Sequence, residues 1–183
     1  MNADWGDTRD ADESDAGEAR PDSDHVDRIQ AQWRRERPDL DVSPVGLIGR
    51  LHRIGQRLRG ELIALYERYG LGEGEFDVLA TLRRSGAPFE LAPGVLAQRT
   101  MVTSGAVSKR LDRLEAAGLV QRRESESDGR GRVVRLTEAG LATIDEAFAA
   151  HMRNEARLVA GLDPAQRQHL ESLLKVWMRA LDD

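Results

Sequence analysis

The sequence predicts a mainly α-helical protein that carries one short β-hairpin. In segments spread over residues 25–181, apolar residues recur every three or four positions, which is the period of an amphipathic helix. Between them, LVQRRES and RVVRLT mix apolar and basic residues around the Gly-containing ESDGRG, a pattern typical of a hairpin. The 183 residues suffice for one domain, or one domain with an appendage.

The charges of the chain are segregated. Residues 1–24 hold nine acidic residues and two arginines, a net charge of −7 in a chain whose total is −5, so the remainder carries +2. Residues 99–135 hold nine basic and five acidic residues, a net charge of +4. We expect residues 1–23 to form a disordered acidic tail. The basic region suits a surface that binds phosphates.

Composition and motifs exclude several classes of protein. The chain has no cysteine, which excludes thiol-based redox sensing and Cys-ligated metals, and its four histidines lack metal-ligand spacing. It shows no secretory signal and no membrane span. A nucleophile elbow, a phosphate loop and a dinucleotide fingerprint are all missing from the sequence. We therefore expect a cytoplasmic protein that is not an enzyme and needs no metal or cofactor.

Two helices are predicted in residues 24–70. The first, HVDRIQAQWRRE, places Val26, Ile29 and Trp33 on one face. Ser43 and Pro44 then suit the N-cap and first turn of a long second helix. Its apolar stripe is Leu47, Leu51, Ile54, Leu58, Leu62, Leu65 and Tyr69. We assign this region to dimerisation.

Residues 71–137 are predicted to form a winged helix-turn-helix. GEFDVLATLRRSG indicates a helix, and APGVLAQRT indicates a shorter one. After a turn at Met101, a further helix begins with Thr103 or Ser104 as its cap and buries Val107, Leu111 and Leu114. Two helices joined by a short turn are the helix-turn-helix pattern, and the hairpin that follows lies where a wing belongs.

Two more amphipathic helices are predicted in residues 138–183. One begins at Thr137, and the other opens at Asp163-Pro164. Their stripes are Leu141, Ile144, Phe148 and Met152, then Leu170, Leu173, Leu174, Trp177 and Leu181. Because the terminal helices have more apolar surface than the small middle region can cover, we expect them to hold a symmetric homodimer.

The predicted fold suggests binding to double-stranded DNA. The second helix of a helix-turn-helix enters the major groove, and a wing arginine suits a narrow minor groove. A two-fold dimer would match a pseudo-palindromic operator. The candidate DNA contacts are Thr103, Ser104, Ser108, Lys109, Arg113, Arg130 and Arg132.

The stretch TSGAVSKRLDRLEAAGLVQRRESESDGRGRVVRLTEAG resembles the multiple antibiotic resistance regulator (MarR) family of winged-helix repressors. The wing pattern of that family is met by Asp128, Arg130, Val134, Leu136 and Thr137. The resemblance implies a transcriptional regulator, most often a repressor. The chain departs from many relatives at Lys109, where they carry Asn or a similar small polar residue, so their base preference is not transferred.

The added first helix, which ends in RIQAQW, is similar to that of the urate-responsive subfamily. This resemblance implies ligand contacts at Trp33, Asp77, Arg110 and Arg122. Urate is a flat monoanion, which an indole ring and the paired donors of a guanidinium can hold. If Asp77 also pairs with Arg110, an arriving anion would disturb a link to the DNA-reading helix.

Other interpretations of these residues stay open. Trp33 is also explained by core packing, Asp77 by the helix dipole, Arg110 by a phosphate contact and Arg122 by the general charge of the wing. The ligand could instead be a phenolic or tricarboxylic acid. The chain could also be a helical module that binds other proteins.

Overall fold

A computed structural model describes residues 23–100, 104–124 and 132–182, with only the backbone of residues 104–106. Residues 1–22 of the predicted acidic tail, Thr103, Asp128 and Arg130 lie outside the described residues. The chain divides into two units, Met1–Gly55 and Gln56–Asp183.

The first unit contains helix α1 (His25–Glu36) and the start of helix α2 (Ser43–Glu67). Asp24 caps α1, because its carboxylate accepts from the amides of Val26 and Asp27 at 2.8 and 3.0 Å. The Asp27 carboxylate accepts from the Asp24 amide in return, which completes a capping box. Asp24 and Asp27 also pair with Arg50 of α2 at 2.8 and 2.7 Å.

Helix α1 packs closely on α2. Val26 is buried against Gly49, where an added Cβ would lie 3.2 Å from the valine side chain. Gln30 is also buried, and its amide nitrogen donates to the carbonyls of Val42 and Ser43 at 3.0 and 3.2 Å. Helix α2 begins at Ser43 itself, so our prediction of Ser43 as the N-cap was wrong by one residue.

The second unit contains the winged helix-turn-helix, as predicted. After residues 56–67 of α2, its elements are α3 (Glu73–Arg84), β1 (Glu90–Leu91), α4 (Pro93–Arg99), α5 (Ser104–Ala116), β2 (Val120–Glu124), β3 (Arg132–Leu136), α6 (Glu138–Leu158) and α7 (Pro164–Asp182). Its core consists mainly of aliphatic side chains from α3, α4, α5, the sheet and α6.

The three strands form an antiparallel sheet in the order β1-β3-β2. The predicted hairpin is β2 with β3, and Val120 lies opposite Leu136. Strand β1 is an addition to the prediction, since two residues are too short to show a strand period. Helix α6 begins at Glu138, one residue after the predicted start, and Thr137 is its N-cap, because its hydroxyl accepts from the Gly140 amide at 2.9 Å.

Helix α7 leaves its apolar side chains uncovered. Over Pro164–Asp182, all of which the structure describes, no residue is buried. The exposed large apolar residues of α6, its C-cap and α7 are Phe148, Met152, Val159, Leu170, Leu173, Leu174, Val176, Met178 and Leu181. In the described part of the chain, none of the helices combines the length and the apolar character that a membrane crossing needs.

Candidate nucleic-acid interface

The packing of α5 decides which of its side chains face outward. Val107, Leu111 and Leu114 are buried in the core of the second unit, as the sequence predicts. Ser108 and Lys109 are exposed on the other side of the helix. A side chain on this outer face is free to meet the edge of a DNA base or a phosphate.

Arg113, on the same outer face, is tied to helix α3. Its Nη1 donates to Glu75 Oε1 at 3.1 Å, and the Glu75 carboxylate also accepts from the Gly72 amide at the start of α3. The arginine side chain stays 73% exposed while that of Glu75 is only 12% exposed. Since Nη1 makes the contact with Glu75, the exposed remainder of the guanidinium offers further donors to a phosphate.

Arg122, at the base of the wing, contacts two carboxylates of α5. Its Nη2 lies 2.6 Å from Asp112 Oδ1 and its Nη1 lies 2.6 Å from Glu115 Oε2. Its backbone amide also donates to Glu115 Oε1 at 3.1 Å. The hydrogen bond to Asp112, followed by the charges of Glu115 and Asp112, raises the pKa of the Arg122 guanidinium above its usual value.

Sequence reasoning missed this cluster. It placed Arg122 among ligand contacts and assigned nothing to Asp112 or Glu115. The available signal was Asp112, an acidic residue on the helix that is predicted to read DNA. A carboxylate at that position repels DNA phosphates unless a nearby cation neutralises it.

Arg110 lies against the first turn of α3. An ideal Cβ added to Gly74 would come within 1.9 Å of Arg110 Nε and 2.2 Å of its Cζ, so the guanidinium occupies the space above the glycine. Arg110 Nη1 is buried and has no hydrogen-bond partner among the described residues. Gly74 lies one turn before Asp77 on α3, so this contact places Arg110 against the segment of α3 that carries Asp77.

The remaining predicted residues are distributed over both units. Trp33 belongs to the first unit and is 50% exposed, while Ile29 beside it is half-buried. Asp77 lies in α3 and is half-buried. Arg132 is exposed at the start of β3, and Ser104 begins α5. Among the residues that the structure describes, no group of His, Cys, Asp or Glu side chains is arranged to hold a metal ion.

Comparison with known proteins identifies the family. A family model of the MarR family matches residues 69–131, which run from the end of α2 to the start of β3. The HTH-type transcriptional regulator PecS of Dickeya dadantii is 39% identical over 149 residues, which cover 81% of this chain and 90% of PecS. The chain belongs to the MarR family. It is therefore a DNA-binding transcriptional regulator and not an enzyme.

Solved structures of MarR proteins share the fold. A single-residue mutant of MarR from E. coli, complexed with operator DNA, has a TM-score of 0.62 and 27% identity, covering 73% of this chain and 93% of that one. BpsR of Bordetella bronchiseptica, whose DNA binding is regulated by 6-hydroxynicotinic acid, has a TM-score of 0.61 and 25% identity. That match covers 70% of this chain and 89% of BpsR.

Proposed function

We propose that this MarR protein is a cytoplasmic, nucleoid-associated homodimeric repressor that leaves its operator when it binds a small planar anion, with urate as the ligand. The observation that carries the ligand proposal is the unpaired Nη1 of Arg110, buried against α3. A buried donor without a partner costs about 1–3 kcal/mol, and more when the group is charged. An anion with adjacent oxygens would satisfy this guanidinium.

The position of Arg110 connects ligand binding to DNA binding. It is the neighbour of Lys109 on α5, so an anion that draws Arg110 away from Gly74 also moves the helix that reads DNA. Allosteric couplings are typically ~1–3 kcal/mol, equal to roughly 5- to 150-fold in affinity. The other proposed ligand contacts are Trp33, Asp77 and Arg122.

The DNA contacts follow from the exposed face of α5 and from the wing. Lys109 and Arg113 would contact base edges or phosphates in the major groove, and the wing arginines would approach the minor groove. The proposed set is Thr103, Ser104, Ser108, Lys109, Arg113, Arg130 and Arg132.

The uncovered apolar surface of α7 supports the homodimer. Burying apolar surface is favourable by about 25 cal/mol per Å², and a second copy of the chain offers an identical apolar surface. We assign residues 24–70 and 138–183 to dimerisation, with the ligand pocket in the first of these ranges and the DNA-binding domain between them. A two-fold dimer implies a pseudo-palindromic operator.

Calorimetric titration of the purified dimer with urate, paired with operator binding, tests the ligand. Binding heat is expected from the wild type, and it should be lost in Arg110→Gln, which removes the charge and leaves a shorter polar side chain. Trp33→Ala and Asp77→Ala should keep DNA binding and weaken the response to urate. No heat and no change in operator affinity at millimolar urate would refute the urate assignment while leaving DNA binding intact.

A phenolic or carboxylic acid is the second candidate ligand. The BpsR comparison favours it, since 6-hydroxynicotinic acid is a planar aromatic acid that regulates DNA binding in a protein of this fold. A thermal-shift screen of purines, phenols and carboxylates, followed by gel shifts with each hit, separates the two candidates. Binding to DNA that weakens steeply as the salt concentration rises would identify a DNA-binding regulator, whichever ligand it responds to, and would exclude a protein-binding module.

A further inference from the structure

Strand β2 carries two consecutive arginines that reach opposite faces of the sheet, as the two-residue period of a strand requires. Arg123 extends to Glu90 of β1, with its Nη2 2.7 Å from Glu90 Oε2. Arg122 extends to Asp112 and Glu115 of α5. Ion pairs therefore fasten the base of the wing on both faces of β2.

The partners of Arg122 are unfavourable residues for a helix that approaches DNA. Asp112 is 65% exposed and Glu115 is 39% exposed, so either carboxylate would repel phosphates if left uncompensated. The Arg122 side chain is 31% exposed, and each of its two Nη atoms lies 2.6 Å from one of these carboxylates. It is thus placed to cancel charge on α5.

We propose that Arg122 is a positioning residue for DNA binding. It neutralises Asp112 and Glu115 and holds the base of the wing against α5, and it sets operator affinity without contacting DNA. This proposal depends on DNA binding by the chain and is independent of the identity, or existence, of a ligand.

A double-mutant cycle separates this role from a direct phosphate contact. The variants are Arg122→Gln, the pair Asp112→Asn with Glu115→Gln, and all three together. Their affinities are measured at one salt concentration for a duplex enriched from a random pool by the wild-type protein. Arg122→Gln should bind roughly tenfold more weakly, the size of effect given by one or two uncompensated charges near phosphates. Once both carboxylates are neutral, the same substitution should change affinity by less than about twofold.

Two further measurements exclude a role in stability alone. All affinities are taken well below the unfolding temperature of each variant, with the folded fraction checked by circular dichroism. Arg83→Gln is the matched control, because it removes a comparable exposed pair, Arg83 with Asp145 at 2.6 Å, that joins α3 to α6 and involves no residue of α5. It should bind like the wild type.

The outcomes decide the proposal. An equal loss from Arg122→Gln in the charged and the neutral backgrounds would mean that Arg122 contacts DNA itself, and the proposal would be wrong. Wild-type affinity in folded Arg122→Gln, or an equal loss in Arg83→Gln, would overturn it as well.

Discussion

Gly140 in the first turn of α6 is the position where a single added methyl group should do most damage. An ideal Cβ there would lie 1.9 Å from the carbonyl oxygen of Leu119 and 2.8 Å from its carbonyl carbon. That oxygen accepts from the Thr137 amide at 3.1 Å, and the Thr137 hydroxyl donates to the carbonyl of Gly118 at 2.7 Å. The start of α6 thus fastens the turn between α5 and β2.

The cost of Gly140→Ala can be worked from these contacts. A backbone oxygen cannot swing aside as a flexible side chain can, so the methyl group must push α6 from the turn. Overpacking costs about 1–3 kcal/mol, and the weakened Thr137 bond adds about 1 kcal/mol. Alanine regains about 1 kcal/mol of helix propensity. The net loss is about 1–3 kcal/mol, or roughly 2–12 °C in Tm for a chain of this length.

Calorimetry at one fixed protein concentration measures this shift, since Tm depends on concentration in an oligomer. Gly60→Ala in α2 is the matched control, because an added Cβ there meets no described atom within 4 Å. It should raise the unfolding free energy by up to about 1 kcal/mol through helix propensity. If Gly140→Ala also gained stability, the close approach of α6 to Leu119 would be refuted.

Three other substitutions test separate parts of the molecule. Burial raises the pKa of the Tyr66 phenol from 10.0 to about 12. The phenol therefore ionises first in the unfolded chain, and the free energy of unfolding should fall from pH 10 to pH 12. Urea titrations should show that Tyr66→Phe removes this decline. In α1 the pKa of Asp24 is lowered by the Asp27 amide and that of Asp27 by Arg50. The stabilisation that these two carboxylates provide is present above about pH 4 and is lost in acid. Amide exchange in α1 should therefore accelerate below that pH, and Arg50→Gln should reduce this acid sensitivity. Equal pH dependence in both proteins would contradict the assignment. Leu173→Glu should convert the proposed dimer to monomer in sedimentation, and an unchanged mass would place the interface elsewhere.

The helical architecture was predictable because each long helix has its own apolar period. Val107, Leu111 and Leu114 repeat at helical spacing, and they are buried as that spacing requires. The capping residue Thr137 is likewise a local signal, since a cap acts within three residues of its own position. Strand β1 was missed because two residues carry no period, and only pairing with β3 makes them a strand.

The candidate site also has features that the sequence predicts and features that only packing decides. Amino-acid type and helical phase suffice to place Ser108 and Lys109 on an exposed face. They do not reveal that Arg122 meets Asp112 and Glu115, or that Arg110 lies over Gly74 with an unpaired nitrogen. Those contacts join residues on different helices and strands, which lie from seven to 36 positions apart along the chain. Such partners depend on how helices and strands pack together, because a long side chain can reach many neighbours until packing selects one. Local periodicity therefore determined the elements and their outward faces, and the packing of α3, α5 and β2 determined which charges meet.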